Sequence, residues 1–325
     1  SQGGEPEPDH PADDRGWTLE SADGRSIDEV GMESNRGRIQ SRPAAFGPME
    51  HGPPCYADEE SEELRLLATF RVRTVFPDDV KQEVDQLPDD PDPSDFEGRL
   101  DLREETSVTI DGDDAKDYDD AIGIKDLDNG NTEISVHIAD VSHYVRPGTK
   151  LDDEALTRGT SVYLPDQVVP MLPEKLSNNL CSLVPNRDRL AHSVYMEFTP
   201  EGQRVASRVH KSVIRSVHRC TYRIVQELLD GVDSEETRAI KYLAEDLKRF
   251  RDWTRRQQKI RDERGSLRMD SSERKFVFND EHEVQAIVDS DKYFSQTLIE
   301  ETALAANQAV GDLFRKRGLP TIYRV

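Results

Sequence analysis

Apolar positions are unevenly spread along this chain, and their spacing divides it into a tail, a connector and a folded region. Residues 1 to 63 are rich in Gly, Pro, Ser, Asp and Glu, contain no lysine, and sustain neither a helical nor an alternating apolar pattern. Such a stretch buries too little apolar surface to offset its ordering entropy, so residues 1–66 are expected to be a low-complexity, disordered acidic tail. From Leu67 the texture changes. Ala68 to Val75 alternates as a strand would, and the acidic, Pro-punctuated stretch from Leu87 to Phe96 belongs to a connector over residues 67–105.

Residues 106–325 carry the patterns of a mixed α+β domain, a β-sheet with packed helices. Strands are predicted at Val108 to Ile110, Ala121 to Ile124 and Glu133 to Ile138, the last two joined as a hairpin because the Asn129-Gly130 pair favours primed turns. A helix from Thr149 to Arg158 should stop at Gly159, and strands at Ser193 to Phe198 and Val205 to Val217 flank the turn Pro200 to Gln203. Val205, Val209, Val213 and Val217 would share a strand face. Arg204, Arg208, His210, Arg215 and Arg219 are threaded among them, either as a solvated face or as phosphate contacts. One long helix is expected from Ser234 to Asp262, opened by an Asp233-to-Glu236 capping box, with Ile240, Leu243, Leu247, Phe250 and Trp253 as its core stripe. A hairpin at Phe276 to Phe278 and Val284 to Val288 and a helix from Asp291 to Arg317 complete the reading.

Composition narrows the partners. Over 325 residues the formal net charge is −23, which argues against a protein that coats nucleic acid through a broad basic face, so any nucleic-acid contact must be local. Acidic excess with arginine favoured over lysine also matches proteins adapted to salt. Cys55, Cys181 and Cys220 show no CxxC spacing, and no signal peptide or bilayer-length apolar run is seen, so a cytoplasmic location without membrane or obligate protein partner is expected.

The most informative segment runs from Thr109 to Ile122. Six aspartates fall within ten residues there, between two apolar strands, at a cost in repulsion and desolvation unless cations neutralise them. Oxygen donors with no nearby Cys or His pair suit hard divalent ions, Mg²⁺ above all, and phosphodiester cleavage is the matching chemistry. In an extended segment Asp117 and Asp119 would share a face, Asp120 would point away, and Asp111 could fold back; Asp113 and Asp114 are less telling. A calcium EF-hand fits poorly because the twelfth position from Asp111 is Ile122, not Glu. Composition alone equally permits a solvated acidic loop.

The D-x5-D-x-D-D spacing of Asp111, Asp117, Asp119 and Asp120, followed by His137 to Val145, resembles the RNB catalytic domain of the ribonuclease II/ribonuclease R exoribonucleases. Arg158 to Pro165, Pro170 to Glu174, Leu176 to Leu183, Arg264 to Leu267 and Leu298 to Glu301 match the same domain in order. This resemblance implies a 3′-to-5′ exoribonuclease that hydrolyses single-stranded RNA to nucleoside 5′-monophosphates with two Mg²⁺ ions, Mn²⁺ being an alternative. It implies Asp111, Asp117, Asp119 and Asp120 as metal-binding and catalytic residues. Tyr163 and Tyr222 would be RNA-contacting aromatics, and Glu300 or Glu301 an active-site glutamate.

Departures qualify what this chain does alone. The family's leading cold-shock domains have no counterpart in residues 1 to 63, and its terminal-phosphate arginine and S1 domain would follow Val325. The catalytic domain is therefore expected to be truncated on its C-terminal side and weakly active by itself. Gln296 and Ala303 stand where His and Met are common. A catalytically degenerate RNA-binding or regulatory relative is the rival reading, and a Mg²⁺-dependent DNA nuclease a weaker one.

Overall fold

The computed structural model describes residues 66–67, 69–164, 167–266, 274–279, 284–290 and 292–323; nearly all of the expected tail, Cys55 included, lies outside the described residues. Seven strands form one sheet: β1 (Leu100–Leu102), β2 (Val108–Asp111), β3 (Asp120–Asp126), β4 (Thr132–Ala139), β7 (Arg189–Phe198), β8 (Arg204–Ile214) and β9 (His218–Thr221), ordered β1-β8-β7-β4-β3-β2-β9. The outer pairs β1/β8 and β2/β9 are parallel, and the junctions between them are antiparallel. Two short ribbons stand apart, β5 (Val162–Tyr163) with β6 (Val168–Val169) and β10 (Arg274–Phe278) with β11 (Val284–Asp289). The helices are α1 (Asp78–Asp85), α2 (Val141–Tyr144), α3 (Lys150–Arg158), α4 (Tyr222–Leu229), α5 (Glu235–Ala239), α6 (Ala244–Glu263) and α7 (Phe294–Lys316).

β4 occupies the middle of the sheet because both of its faces can be buried. Ile134 and Val136 join Val194, Met196 and Phe198 beneath α4, α6 and α7, where Phe250 and Trp253 fill the core. Glu133, Ser135 and His137 occupy the other face. There His137 places Nδ1 2.6 Å from Ser193 Oγ and Nε2 3.1 Å from Ser135 Oγ, and Ser193 Oγ lies 2.6 Å from Ser212 Oγ. Burial lowers the His137 pKa to about 4, so this polar layer holds a neutral imidazole at pH 7.

A second core gathers where β1, β4 and β8 end and β3 and β7 begin, joining Leu102, Ala121, Ala139, Leu190 and Ile214 to Val80 and Val84 of α1 and Leu151 and Ala155 of α3. Helix α3 has the expected ends, with Thr149 Oγ1 accepting from Asp152 N–H and Gly159 at φ +73°. The segment from Asp78 to Leu102 is thus packed into the sheet's end: α1 lies on α3, and β1 extends the sheet.

Five expectations need correction. Residues 69–75 form no strand; a helical turn at Leu66 and Leu67 gives way to turns, Arg71 takes φ +56°, and Arg73 is drawn to Glu154 by bonds of 2.7 and 2.9 Å instead of pairing its backbone. The long helix is broken at Ile240, which takes φ −106°, ψ 11°, so α5, a 3₁₀ turn (Lys241–Leu243) and α6 replace one rod. This break leaves Ile240, Leu243, Leu247, Phe250 and Trp253 all buried. Ser234, not Asp233, caps α5, in a box closed by Thr237, because Asp233 pairs with Arg238. The β3–β4 turn spans residues 127–131 with only Gly130 at positive φ, +84°, so it is not a two-residue primed turn.

The fifth correction concerns the basic residues of β8 and β9. Arg204 pairs with Asp312, Arg208 with Glu133 at 2.6 Å and Arg215 with Asp188 at 2.7 Å, while His210 is buried. These arginines are partly exposed and ion-paired, so they are not a free phosphate-binding row. Arg219 alone turns toward the acidic loop. The hairpin β10/β11 and helix α7 lie where the pattern put them.

Candidate active site

The acidic loop hangs between the last residue of β2, Asp111, and the first of β3, Asp120. Its backbone is fastened at several points. Arg219 Nη2 donates to the carbonyls of Gly112 (3.1 Å) and Asp113 (2.7 Å), while Ser182 Oγ accepts from Tyr118 N–H (2.9 Å) and donates to Lys116 O (3.3 Å). Leu183 N–H donates to Tyr118 O at 2.7 Å, and Ala139 N–H to Asp119 O at 3.0 Å. None of these bonds uses a carboxylate.

The side chains of Asp111, Asp117, Asp119 and Asp120 have no hydrogen-bond or ion-pair partner among the described residues, and Asp111 Oδ2 is buried without one. Burial, then the charges of Asp120, Asp119 and Asp117, push Asp111 up to about 7. Burial and Asp119 raise Asp120 to about 6; burial and Asp117 raise Asp119. Asp119 is exposed as a residue, yet its carboxyl is crowded enough that burial is still the largest cause. All four expected aspartates therefore share one electrostatic neighbourhood, Asp120 included, because the loop curves and the alternation of an extended segment does not apply.

Both expected tyrosines feel the charge of this cluster. Tyr163, 67% exposed on β5, feels burial and then Asp117 and Asp119. Tyr222, half-buried at the start of α4, is raised to about 12 by burial, Asp111 and Asp120. Glu300 and Glu301 are not brought into the loop. Arg261 Nη1 lies 2.9 Å from Glu301 and 3.8 Å from Glu300, and buried Glu301 lines a cavity of about 260 Å³ with Gly202, Gln203 and Arg204. That turn joins β7 and β8 at the end of the sheet away from Asp120, whose register through Ile138 falls at His192 near the start of β7.

Donor type and burial suit a hard divalent cation: an orphaned carboxylate oxygen and three more unpaired carboxyls on one loop need a positive charge. Among the described residues no three His, Cys, Asp or Glu side chains already stand close enough to hold one ion. Four like charges on one loop repel one another, which keeps the carboxyls apart.

Ser182, Tyr118 and Cys181 were not singled out as site residues from sequence. Ser182 and Cys181 follow a π-helical turn (Leu176–Leu180), and the Asp119 charge acts on Cys181. The signal for Ser182 and Cys181 was membership of the Leu176-to-Leu183 segment, and that for Tyr118 its place among the aspartates of the Thr109-to-Ile122 segment.

The RNB domain family model matches residues 99–325. Ribonuclease R of Thermotoga maritima is 44% identical over 255 residues, covering 77% of this chain and 35% of that protein. Ribonuclease R 1 of Lactococcus lactis is 39% identical over 268 residues, covering 82% of this chain and 33% of that one. The fold superposes on Mycoplasma genitalium RNase R in complex with ribose methylated single-stranded RNA with a TM-score of 0.74 at 29% identity, covering 80% of this chain and 40% of the other. This chain thus spans between 33% and 35% of the length of the two curated relatives. With the family model covering the whole sheet and the acidic loop that interrupts it, the chain belongs to the RNB domain family.

Proposed function

We propose that this chain is the metal-carrying part of a cytoplasmic 3′-to-5′ exoribonuclease that hydrolyses single-stranded RNA to nucleoside 5′-monophosphates. The observation that carries the reading is a set of four carboxylates on one fastened loop, unpartnered among the described residues, with two tyrosines within reach of their charge. Asp111, Asp117, Asp119 and Asp120 would hold two Mg²⁺ ions, or Mn²⁺ in their place. Bound there, the ions would activate water and neutralise the leaving oxygen.

The chain's own contribution is binding and orientation. Tyr163 offers an exposed ring to a terminal base, and half-buried Tyr222 stands within reach of the Asp111 and Asp120 charges. Stacking grips every base, which suits an enzyme that must accept any sequence, and places little demand on a chain of net charge −23. Glu300 or Glu301 would be an active-site glutamate by the resemblance alone; both lie on α7, whose Ser295 Oγ donates to Tyr222 O at 2.6 Å.

The test uses the intact gene product and a 5′-labelled single-stranded RNA beside a DNA strand of the same sequence. Progressive shortening from the 3′ end of RNA alone, slowed by roughly two orders of magnitude or more in Asp119→Asn, is expected. Equal degradation by Asp119→Asn rejects the aspartate assignment. RNA binding without cleavage by the wild type would instead establish a catalytically silent relative.

A further inference from the structure

Arg219 sits where an ion pair would be expected and makes none among the described residues. β9 runs parallel to β2 with Arg219 opposite Thr109 and Thr221 opposite Asp111, which brings the guanidinium to the mouth of the acidic loop. Four aspartates surround that mouth, yet both donated bonds go to consecutive carbonyls, Gly112 O and Asp113 O. The guanidinium carbon lies 5.4 Å from the Tyr118 ring centroid, and Tyr118 Oη donates to Ala115 O at 3.0 Å. Nε is buried and unpartnered. One side chain thus touches the loop at both of its ends, and through Tyr118 reaches its middle.

A guanidinium placed on a carboxylate would occupy the oxygens a cation needs. Placed on carbonyls, it supplies positive potential and fixes the backbone while leaving the carboxylates of Asp111, Asp117, Asp119 and Asp120 unoccupied. A planar fork that also stacks on an aromatic face suits this task; an ammonium, a compact point charge, does not span the same partners. Arg223 offers no substitute, because Glu227 and Glu236 take it at 3.0 and 2.9 Å and Asp113 is 3.8 Å away.

We infer that Arg219 is the positioning residue of the metal site, holding residues 112–118 in the shape from which Asp111, Asp117, Asp119 and Asp120 converge on divalent cations. This rests on the reading of those aspartates as metal ligands. Arg219 itself touches neither metal nor substrate.

Two readouts on the 325-residue chain test it. In metal-free protein, hydrogen exchange of amides 113–118 should accelerate in Arg219→Ala while the amides of β4 and β7 are unchanged. Mn²⁺ affinity, read by paramagnetic resonance, should fall roughly 10–100-fold in Arg219→Ala, the range for residues that orient ligands. Arg219→Lys guards against a folding failure of the Ala variant, and its affinity should be intermediate. Arg215→Ala, which breaks only a pair with Asp188, should bind Mn²⁺ as the wild type does. Unchanged loop exchange together with wild-type Mn²⁺ affinity in both Arg219 variants overturns the inference. If instead the wild type shows no Mn²⁺ binding that Asp119→Asn removes, the ligand reading falls, and the exchange measurement still decides whether Arg219 clamps the loop.

Discussion

Neutralising Asp111 should stabilise the metal-free chain and weaken its response to divalent cations, two effects of opposite direction from one substitution. Burial, then Asp120, Asp119 and Asp117, raise its carboxyl from 3.8 to about 7. At about 1.4 kcal/mol per pKa unit this corresponds to a ceiling of roughly 4 kcal/mol of destabilisation when ionised. The loop can relax and water reaches the cluster, so about 1–2 kcal/mol is the expected gain for Asp111→Asn at pH 8. For a domain of this size that is a rise in Tm of roughly 2–8 °C. The sign follows from linkage: a carboxyl raised by folding keeps its stability contribution at low pH and loses it as pH climbs through the folded value near 7. The gain from Asn should therefore shrink toward pH 4. Thermal unfolding in EDTA at pH 4, 6 and 8, repeated over a Mg²⁺ series, measures both effects. A site filled at 100 times its Kd would stabilise the wild type by about 2.7 kcal/mol. An Asn variant no more stable than wild type at pH 8 without metal, or one stabilised equally by Mg²⁺, refutes the account of this loop.

Asp140→Asn should cost about 3–5 kcal/mol at pH 7, because it strands buried Arg99, now bonded to Asp140 at 2.6 Å. Against burial, which raises it, bonds from His192, Ser142 and Arg99 hold the Asp140 carboxyl far below the usual range. Its contribution should persist at neutral pH and fade only in strong acid, as urea unfolding against pH would show. Gly123→Ala places a methyl 2.6 Å from Ser135 Oγ and 2.9 Å from Thr106 O and should destabilise by about 1–3 kcal/mol; an unchanged urea midpoint would contradict the packing described. Tyr163→Ala, at an exposed position, should leave the urea midpoint within about 0.5 kcal/mol of wild type while weakening single-stranded RNA binding by about 1–3 kcal/mol in a fluorescence titration.

Much of the architecture was already legible in local pattern. The α6 stripe, α3 with its Thr149 and Gly159 ends, the β3–β4 and β7–β8 hairpins and α7 all rest on periodicity or capping between near neighbours, where few residues decide the outcome. The strand at 69–75 failed because alternation needs a partner strand, and that segment meets Glu154 of α3 instead. The helix break at Ile240 failed for a related reason: the apolar stripe runs through it unbroken, and only packing registers the 3₁₀ turn.

Residue chemistry alone marked out the acidic segment, since six carboxylates crowd between apolar strands, and the resemblance to the RNB domain singled out Asp111, Asp117, Asp119 and Asp120 within it as the expected ligands. Folding decided which other side chains meet them. Tyr163, Ser182, Arg219 and Tyr222 lie 43 to 102 residues beyond Asp120 and reach the loop because β9 pairs beside β2 and the chain after the π-helical turn folds back onto Tyr118. Folding also carried Glu301 to Arg261 and spent Arg204, Arg208 and Arg215 on ion pairs that no local pattern announced. Long-range pairing has no signature in the spacing of neighbours, because it depends on which strand edges and helix faces are brought together when the core closes.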